Sequence, residues 1–205
     1  MSVNLPSFLT DTLLWSAEFG MGWHTRPPMT YEEPYFEKYL VMDAAPMGAE
    51  LTAARVDMVR RHTDLPVVDI GIGGGRFVTE SGGFGFDVNA DAVAWLNERD
   101  AYFDPYKSHC EVITCWDSLE HIPDPVALID RVSEWVFVAM PIYKDLQDCL
   151  NSKHFRPGEH IWYWTHQGLI LWFHNLGFEC VEVNDQETTI GREGIKSYAF
   201  KRVAK

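Results

Sequence analysis

The stretch Val67-Val68-Asp69-Ile70-Gly71-Ile72-Gly73-Gly74-Gly75-Arg76-Phe77 narrows the folds open to this chain more than any other. A β-branched run enters a glycine cluster and leaves into a helical pattern, which is how a buried parallel strand delivers a ligand to the turn before a helix. Gly71, Gly73 and Gly75 lack Cβ, so they can take positive φ and let backbone N–H groups approach a ligand closely. Asp69 falls at the carboxyl end of the strand, where open α/β sheets bind their ligands, and can accept hydrogen bonds from an ammonium or order the turn. The dinucleotide fingerprint would put a third glycine where Arg76 stands. The spacing here is Asp-x-Gly-x-Gly-x-Gly, and a second short apolar strand in Gly82-Gly83-Phe84-Gly85-Phe86-Asp87-Val88-Asn89 ends at Asp87. A carboxylate at that place can take both hydroxyls of a ribose. A tight turn in an unrelated α/β domain is the plain structural alternative.

With 205 residues, 46% of them hydrophobic, the chain can bury one substantial core, and a single domain over 1–205 is expected. Within it, 1–62 is expected to form an N-terminal helical lid or cap and 63–205 a Rossmann-like core. Lys and Arg number 17 against 30 Asp and Glu, a formal net charge of −13. Phosphate backbones are bound through Lys and Arg, so a nucleic-acid partner is not expected, although a local basic mouth is compatible with the total. Cys110, Cys115, Cys149 and Cys180 form no CxxC pair and suit reduced thiols. No stretch approaches roughly eighteen apolar residues, and no basic region followed by an apolar core opens the chain. The expectation is a soluble, cytoplasmic protein with no membrane partner.

Pro6, Pro27 and Pro28 break up the first part of the chain. A short helix is expected near 7–19, then an irregular segment over 20–26. This aromatic-rich leader suits either closure over a pocket or packing on the sheet edge. Residues 31–42 and 48–62 read as helices. The second turns Leu51, Val56 and Val59 inward and carries Arg55, Arg60 and Arg61 towards its end, where they answer the helix dipole. Asn89 can cap a helix running to about Arg99. Residues 100–108, with Pro105, leave room only for an abbreviated third strand. Residues 111–116 read as a buried strand, 126–132 as a helix, and 135–140 as a second buried strand stopped by Pro141. A helix over 165–176 closed by Gly177, then strands 178–183 and 197–203 joined by the polar stretch 184–196, complete the pattern. The order predicts an α/β fold: a Rossmann-like, seven-stranded, mostly parallel sheet with helices on both faces and an antiparallel edge strand.

The glycine loop, Asp87 and the segment Trp116-Asp117-Ser118-Leu119-Glu120-His121-Ile122-Pro123-Asp124-Pro125 together resemble class I S-adenosylmethionine (SAM) methyltransferases. The last segment is similar to that of the ubiquinone-biosynthesis O-methyltransferase group, where an acid, two residues and Glu-His follow the fourth strand. The resemblance spans roughly residues 65 to 180. It implies SAM as cofactor, contacted by Asp69, Gly71, Gly73 and Gly75 on the first strand and loop. Asp87, Val88, Trp116 and Asp117 would complete the contacts, and Asp100 or Asp104 could meet the adenine.

Asp117-x-x-Glu120-His121 also admits a chemical reading: two carboxylates and an imidazole from one loop, with a distant histidine, can hold a divalent metal that acidifies a substrate hydroxyl. Asp117, Glu120, His121 and His160 are the candidate set, with His154 as the other choice for the distant ligand. The resemblance associates a similar pattern with metal in ubiquinone-pathway enzymes and in small-RNA 3′-end methyltransferases, but the primary expectation is a site without metal. Capping of the following helix by Glu120 and His121 is the structural alternative. Methyl transfer is an in-line displacement in which positioning and a base for the acceptor supply most of the acceleration. Candidate bases are His121, His160 and His154, with Glu120 beside them. His160 precedes Ile161-Trp162-Tyr163-Trp164, an aromatic run suited to walling an acceptor pocket or to core packing. The expected function is methyl transfer to a small-molecule acceptor at oxygen. The alternatives are RNA ribose methylation through a metal site, a nicotinamide-dependent oxidoreductase, which Arg76 disfavours, and a non-catalytic SAM-binding module. The Asp/Asn-Pro-Pro-aromatic signature of base amino-group methylation is missing, since Asp117-Ser118-Leu119-Glu120 stands in its place.

Overall fold

The computed structural model describes residues 13–25 and 35–203. From the N-terminus these form strands β1 (Leu13–Ser16) and β2 (Met21–His24), helices α1 (Tyr35–Ala44) and α2 (Pro46–Arg60), β3 (Val67–Ile70), α3 (Arg76–Ser81), β4 (Phe84–Phe86), α4 (Ala90–Asn97) and β5 (Cys110–Trp116). A 3-10 turn, Leu119–His121, leads to α5 (Pro125–Ile129) and β6 (Val132–Tyr143). Then come α6 (Leu146–Asn151), β7 (Trp162–Thr165), α7 (His166–Asn175), β8 (Phe178–Asn184), α8 (Gln186–Ile190) and β9 (Ile195–Arg202).

The apolar runs behave as strands buried on both faces. All four residues of β3 are buried, and β3 pairs in parallel with β4 on one side and β5 on the other. β6 runs parallel to β5, and β9 lies antiparallel between β6 and β8. Alternate side chains divide between two cores: Ile113, Cys115, Val136 and Val138 pack with Leu128, Leu169 and Phe173, while Val112, Trp116 and Phe137 pack with Met58, Val59 and Phe77. Local signals hold at the helix ends. The Asn89 side chain accepts from the Asp91 and Ala92 amides, the Thr165 side chain caps α7, and Gly177 follows that helix with φ of +82°. The third strand is abbreviated to one bridge, Tyr102 beside Gly85.

The sheet has nine strands rather than the expected seven. The surplus comes from the leader and from the aromatic run. Leu13–Ser16 is a strand, not part of a helix, and with β2 it makes a hairpin turned at Gly20, whose φ is +60°. Residues 7–12 of that expected helix, and 31–34 of the next, lie outside the described residues. β2 pairs with β7 through Gly22 opposite Tyr163, so the segment expected to be a helical cap is partly sheet. Two sheet edges a long way apart in sequence satisfy one another, which no local pattern announces. Pro141 does not stop β6, which continues to Tyr143. The Ile142 N–H points to the carbonyl of Gly194 on the β9 side, so the Pro141 nitrogen faces the opposite side, where β5 has already ended opposite Ala139. A missing donor there breaks no ladder bond. Past that point Ile142 and Tyr143 take β7 as their parallel neighbour. No helix among the described residues is long and apolar enough to cross a membrane.

Candidate functional site

The carboxyl ends of β3, β4 and β5 converge on the glycine loop. Gly71 has φ of +76°, and a Cβ there would lie 2.9 Å from the Ser118 Cβ. Gly75 has φ of +80°, and its Cβ would meet the Trp95 ring at 2.5 Å. Backbone shape and close approach both demand glycine at these two places. Asp69 is 2% exposed and accepts a 2.7 Å bond from the Thr114 hydroxyl. Burial pushes its carboxyl up to about 7. The Asp87 carboxylate ties the loop to the end of β4, accepting from the Ile72 amide at 3.0 Å and the Asn89 amide at 2.8 Å. Val88 beside it is exposed, offering an apolar surface at the strand end. One residue here had no signal in the sequence reading: Asp43, at the end of α1, whose Oδ2 accepts from the Gly74 amide at 3.0 Å.

After β5 the chain makes a strained step, with Asp117 at φ of +56°. Arginine contacts stabilise that conformation. Asp117 Oδ1 accepts from Arg192 Nη2 at 2.8 Å and Oδ2 from Arg55 Nη2 at 3.2 Å, with Arg192 Nη1 also on Oδ2. Both guanidinium groups bind the buried Glu187 as well, Arg55 Nε at 2.7 Å and Arg192 Nη1 at 2.6 Å. Burial alone would raise the Asp117 pKa, but Arg192 and then Arg55 outweigh it and hold the carboxyl below the ordinary range. Arg55 also lies over the Trp116 ring at 5.2 Å, and the buried Trp116 Nε1 has no hydrogen-bond partner among the described residues. Arg55 therefore does more than answer a helix dipole. Glu187 and Arg192 lie inside the polar stretch 184–196, where composition alone suggested only a connection.

The 3-10 turn then presents Glu120 and His121, and β7 brings His160 to them. The Ile161 amide donates to the Glu120 carbonyl at 2.8 Å, Trp162 Nε1 donates to the Ile122 carbonyl at 2.8 Å, and the His24 amide of β2 donates to the Ile161 carbonyl at 2.8 Å. The rings of His121 and His160 stand edge to face with centroids 4.7 Å apart. One ligand atom from each of Glu120, His121 and His160 lies within 4.8 Å of the others. His121 Nδ1 is 2.9 Å from the Glu159 carbonyl oxygen, which can only accept; Nδ1 of the neutral ring therefore carries the proton and Nε2 the lone pair. Glu120 is 2% exposed and its Oε2 has no hydrogen-bond partner among the described residues. Burial first, then the Asp117 charge, push its carboxyl up to about 8. Burial lowers the His121 pKa, and burial with the neighbouring His121 pushes His160 down to about 3. Both imidazoles are thus neutral at pH 7. Of the four-residue metal set, the structure brings three together and turns Asp117 to the arginines. His154 lies elsewhere, with Nε2 2.9 Å from the Glu193 carbonyl.

A family model described as a methyltransferase domain matches residues 44–183, which takes in the glycine loop, the Asp87 turn and the Glu120–His121 turn. The chain belongs to this methyltransferase-domain family. It is a SAM-dependent methyltransferase. No curated protein sequence matches it. Solved structures resemble the methyltransferase in fold at low identity. A methyltransferase from Haloferax volcanii, solved in complex with the Trm112 methyltransferase activator, aligns with a TM-score of 0.62 and 14% identity, over 83% of this chain and 97% of that one. A SAM-dependent methyltransferase from Aquifex aeolicus aligns with a TM-score of 0.59 and 11% identity, over 85% and 100%. Magnesium protoporphyrin IX methyltransferase from Synechocystis PCC 6803, solved with S-adenosylhomocysteine (SAH), aligns with a TM-score of 0.53 and 12% identity, over 85% and 90%.

Proposed function

We propose that this methyltransferase methylates a hydroxyl oxygen of a small-molecule acceptor seated against Glu120, His121 and His160. The observation that carries this reading is Glu120 Oε2, a deeply buried acceptor with no hydrogen-bond partner among the described residues, set beside two neutral imidazoles. A buried polar atom without a partner is costly unless a ligand supplies one. The cofactor side fits the same picture. The glycine loop offers close backbone approach, and Trp116 Nε1 and Ser118 Oγ are further buried polar atoms without hydrogen-bond partners among the described residues. In this reading Asp69, Gly71, Gly73 and Gly75 hold the methionine end of SAM, Asp87 and Val88 the ribose and adenine, and Trp116 with Asp117 the wall between them. SAM, when bound, supplies a methyl group on a positively charged sulfur.

The chain's own residues handle the acceptor. His121 Nε2 takes the hydroxyl proton while Nδ1 stays bonded to the Glu159 carbonyl, and the Glu120 carboxyl, protonated at neutral pH, orients the acceptor oxygen. A methyl-transfer assay with isotopically labelled SAM and a panel of phenolic, sugar and carboxylate acceptors tests this. His121→Ala and Glu120→Ala are expected to lower kcat about a hundredfold and to leave SAH affinity within about twofold. Full turnover in both variants would overturn the assignment.

The convergence of three ligand atoms favours one second reading, in which Glu120, His121 and His160 bind a divalent cation. A chelator then abolishes turnover and added manganese, zinc or magnesium restores it. Under the first reading the chelator has no effect.

A further inference from the structure

Helix α1 lies across the glycine loop, and its last turn is bonded to that loop in both directions. The Asp43 Oδ2 accepts from the Gly74 amide at 3.0 Å and the Arg76 amide at 3.4 Å, while Arg76 Nη1 donates back to the Asp43 carbonyl at 2.7 Å. Gly75, which stands at the cap position of α3, has no side chain to serve these amides. Asp43 therefore supplies from another element the acceptor that a capping side chain would normally supply locally. Contact continues back along the helix: a Cβ on Gly74 would lie 2.7 Å from the Tyr39 carbonyl, and one on Gly73 3.4 Å from the Tyr39 ring.

The apolar part of this docking is small. Phe36 is the one buried side chain of α1, packed near Ile72 and Trp95, while Leu40, Val41 and Met42 are exposed. A ten-residue helix held by one apolar side chain opens locally at little cost unless polar contacts restrain it. The contacts of Asp43 supply such a restraint, and in the proposed function, on which this inference rests, they fall on the backbone that receives the cofactor.

We infer that α1 is a lid on the cofactor loop and that the reciprocal contact of Asp43 with Gly74 and Arg76 is its latch. Asp43 is then a positioning residue: it holds Gly73 and Gly74 in the shape that SAM meets and slows the cofactor's departure by keeping α1 down.

SAH dissociation from the full chain, followed by stopped-flow tryptophan fluorescence with Trp95 beside Gly75 as a reporter, tests this. Hydrogen exchange of residues 35–44 with and without SAH gives the second readout. Asp43→Ala is expected to speed dissociation about tenfold, the loss of hydrogen bonds to a charged acceptor, and to remove the SAH-dependent protection of α1. Asp43→Asn keeps one amide acceptor and should fall between Asp43→Ala and wild type. Val41→Ala, on the exposed face of the same helix, should match wild type. If Asp43→Ala does not fold, Arg76→Gln removes the returned bond together with the exposed Arg76–Glu80 pair and leaves the Gly74 and Arg76 amides on Asp43. It should still speed dissociation, whereas Glu80→Ala, which removes the exposed pair alone, should not. Dissociation at the wild-type rate in Asp43→Ala and Arg76→Gln, or α1 exchange indifferent to SAH, would overturn the inference.

Discussion

Asp69 and Asp117 are both carboxylates withdrawn from water at the ends of neighbouring strands, yet their surroundings push them in opposite directions. Asp117 meets two guanidinium groups and stays ionised. Asp69 has one hydroxyl donor, from Thr114; Arg55 on α2 favours its charge, while Asp87 and Asp43 oppose it, and burial dominates. Its carboxyl is therefore neutral below about pH 7 and charged above. A cofactor carrying an ammonium and a sulfonium is held better by the charged form, so binding releases a proton at acid pH. SAM affinity should fall as the pH drops from 8 to 6, by up to about tenfold per unit below the folded pKa, and Asp69→Asn should flatten that profile. Titrations at several pH values check this, and a flat wild-type profile would remove Asp69 from charge recognition. The Asp69 and Asp87 positions were legible in the sequence because strand, glycines and acid follow one another along the chain. Asp43, Arg55, Glu187 and Arg192 were not, because each meets its partner only through the fold.

The same division holds for whole elements. Strands β3, β5 and β6 and helices α4 and α7 could be placed from runs, caps and glycines that are local in sequence. The leader could not: Leu13–Ser16 becomes a strand because β2 offers it an edge, and β2 is itself held by the aromatic run Trp162–Trp164 of β7. That missed sub-sheet matters to the site, since β7 is what delivers His160 to Glu120 and His121. The segment carrying α8 is the other element that composition concealed. It is fastened to the turn after β5 by Arg192, whose side chain serves both Asp117 and the buried Glu187. Arg192→Ala leaves two carboxylates to Arg55 alone. With the pair partly open to solvent, the expected loss is about 2–3 kcal/mol, a fall in Tm of roughly 5–10 °C for a chain of this size. Thermal unfolding measures it; an unchanged Tm would show that the segment is held by packing instead.

At the scale of the molecule, the proposed function divides between two branches of one continuous sheet. The β3–β4–β5 branch ends in the glycine loop, proposed to hold the cofactor, and the β6–β7–β2–β1 branch, diverging where β6 passes Pro141, leads to His160, proposed to lie on the acceptor side. The formal net charge of −13 belongs to the chain as a whole, so a polyanionic acceptor would approach against it, which favours the proposed small acceptor over a nucleic acid. The division of labour between branches predicts that cofactor binding and acceptor chemistry can be damaged separately. The most direct test is calorimetric titration of the full chain with SAH at pH 8, on wild type, Asp87→Ala and His121→Ala. Binding at one site per chain, weakened at least about tenfold by Asp87→Ala and untouched by His121→Ala, is the predicted result. No heat with SAH, or equal binding in wild type and Asp87→Ala, would contradict it.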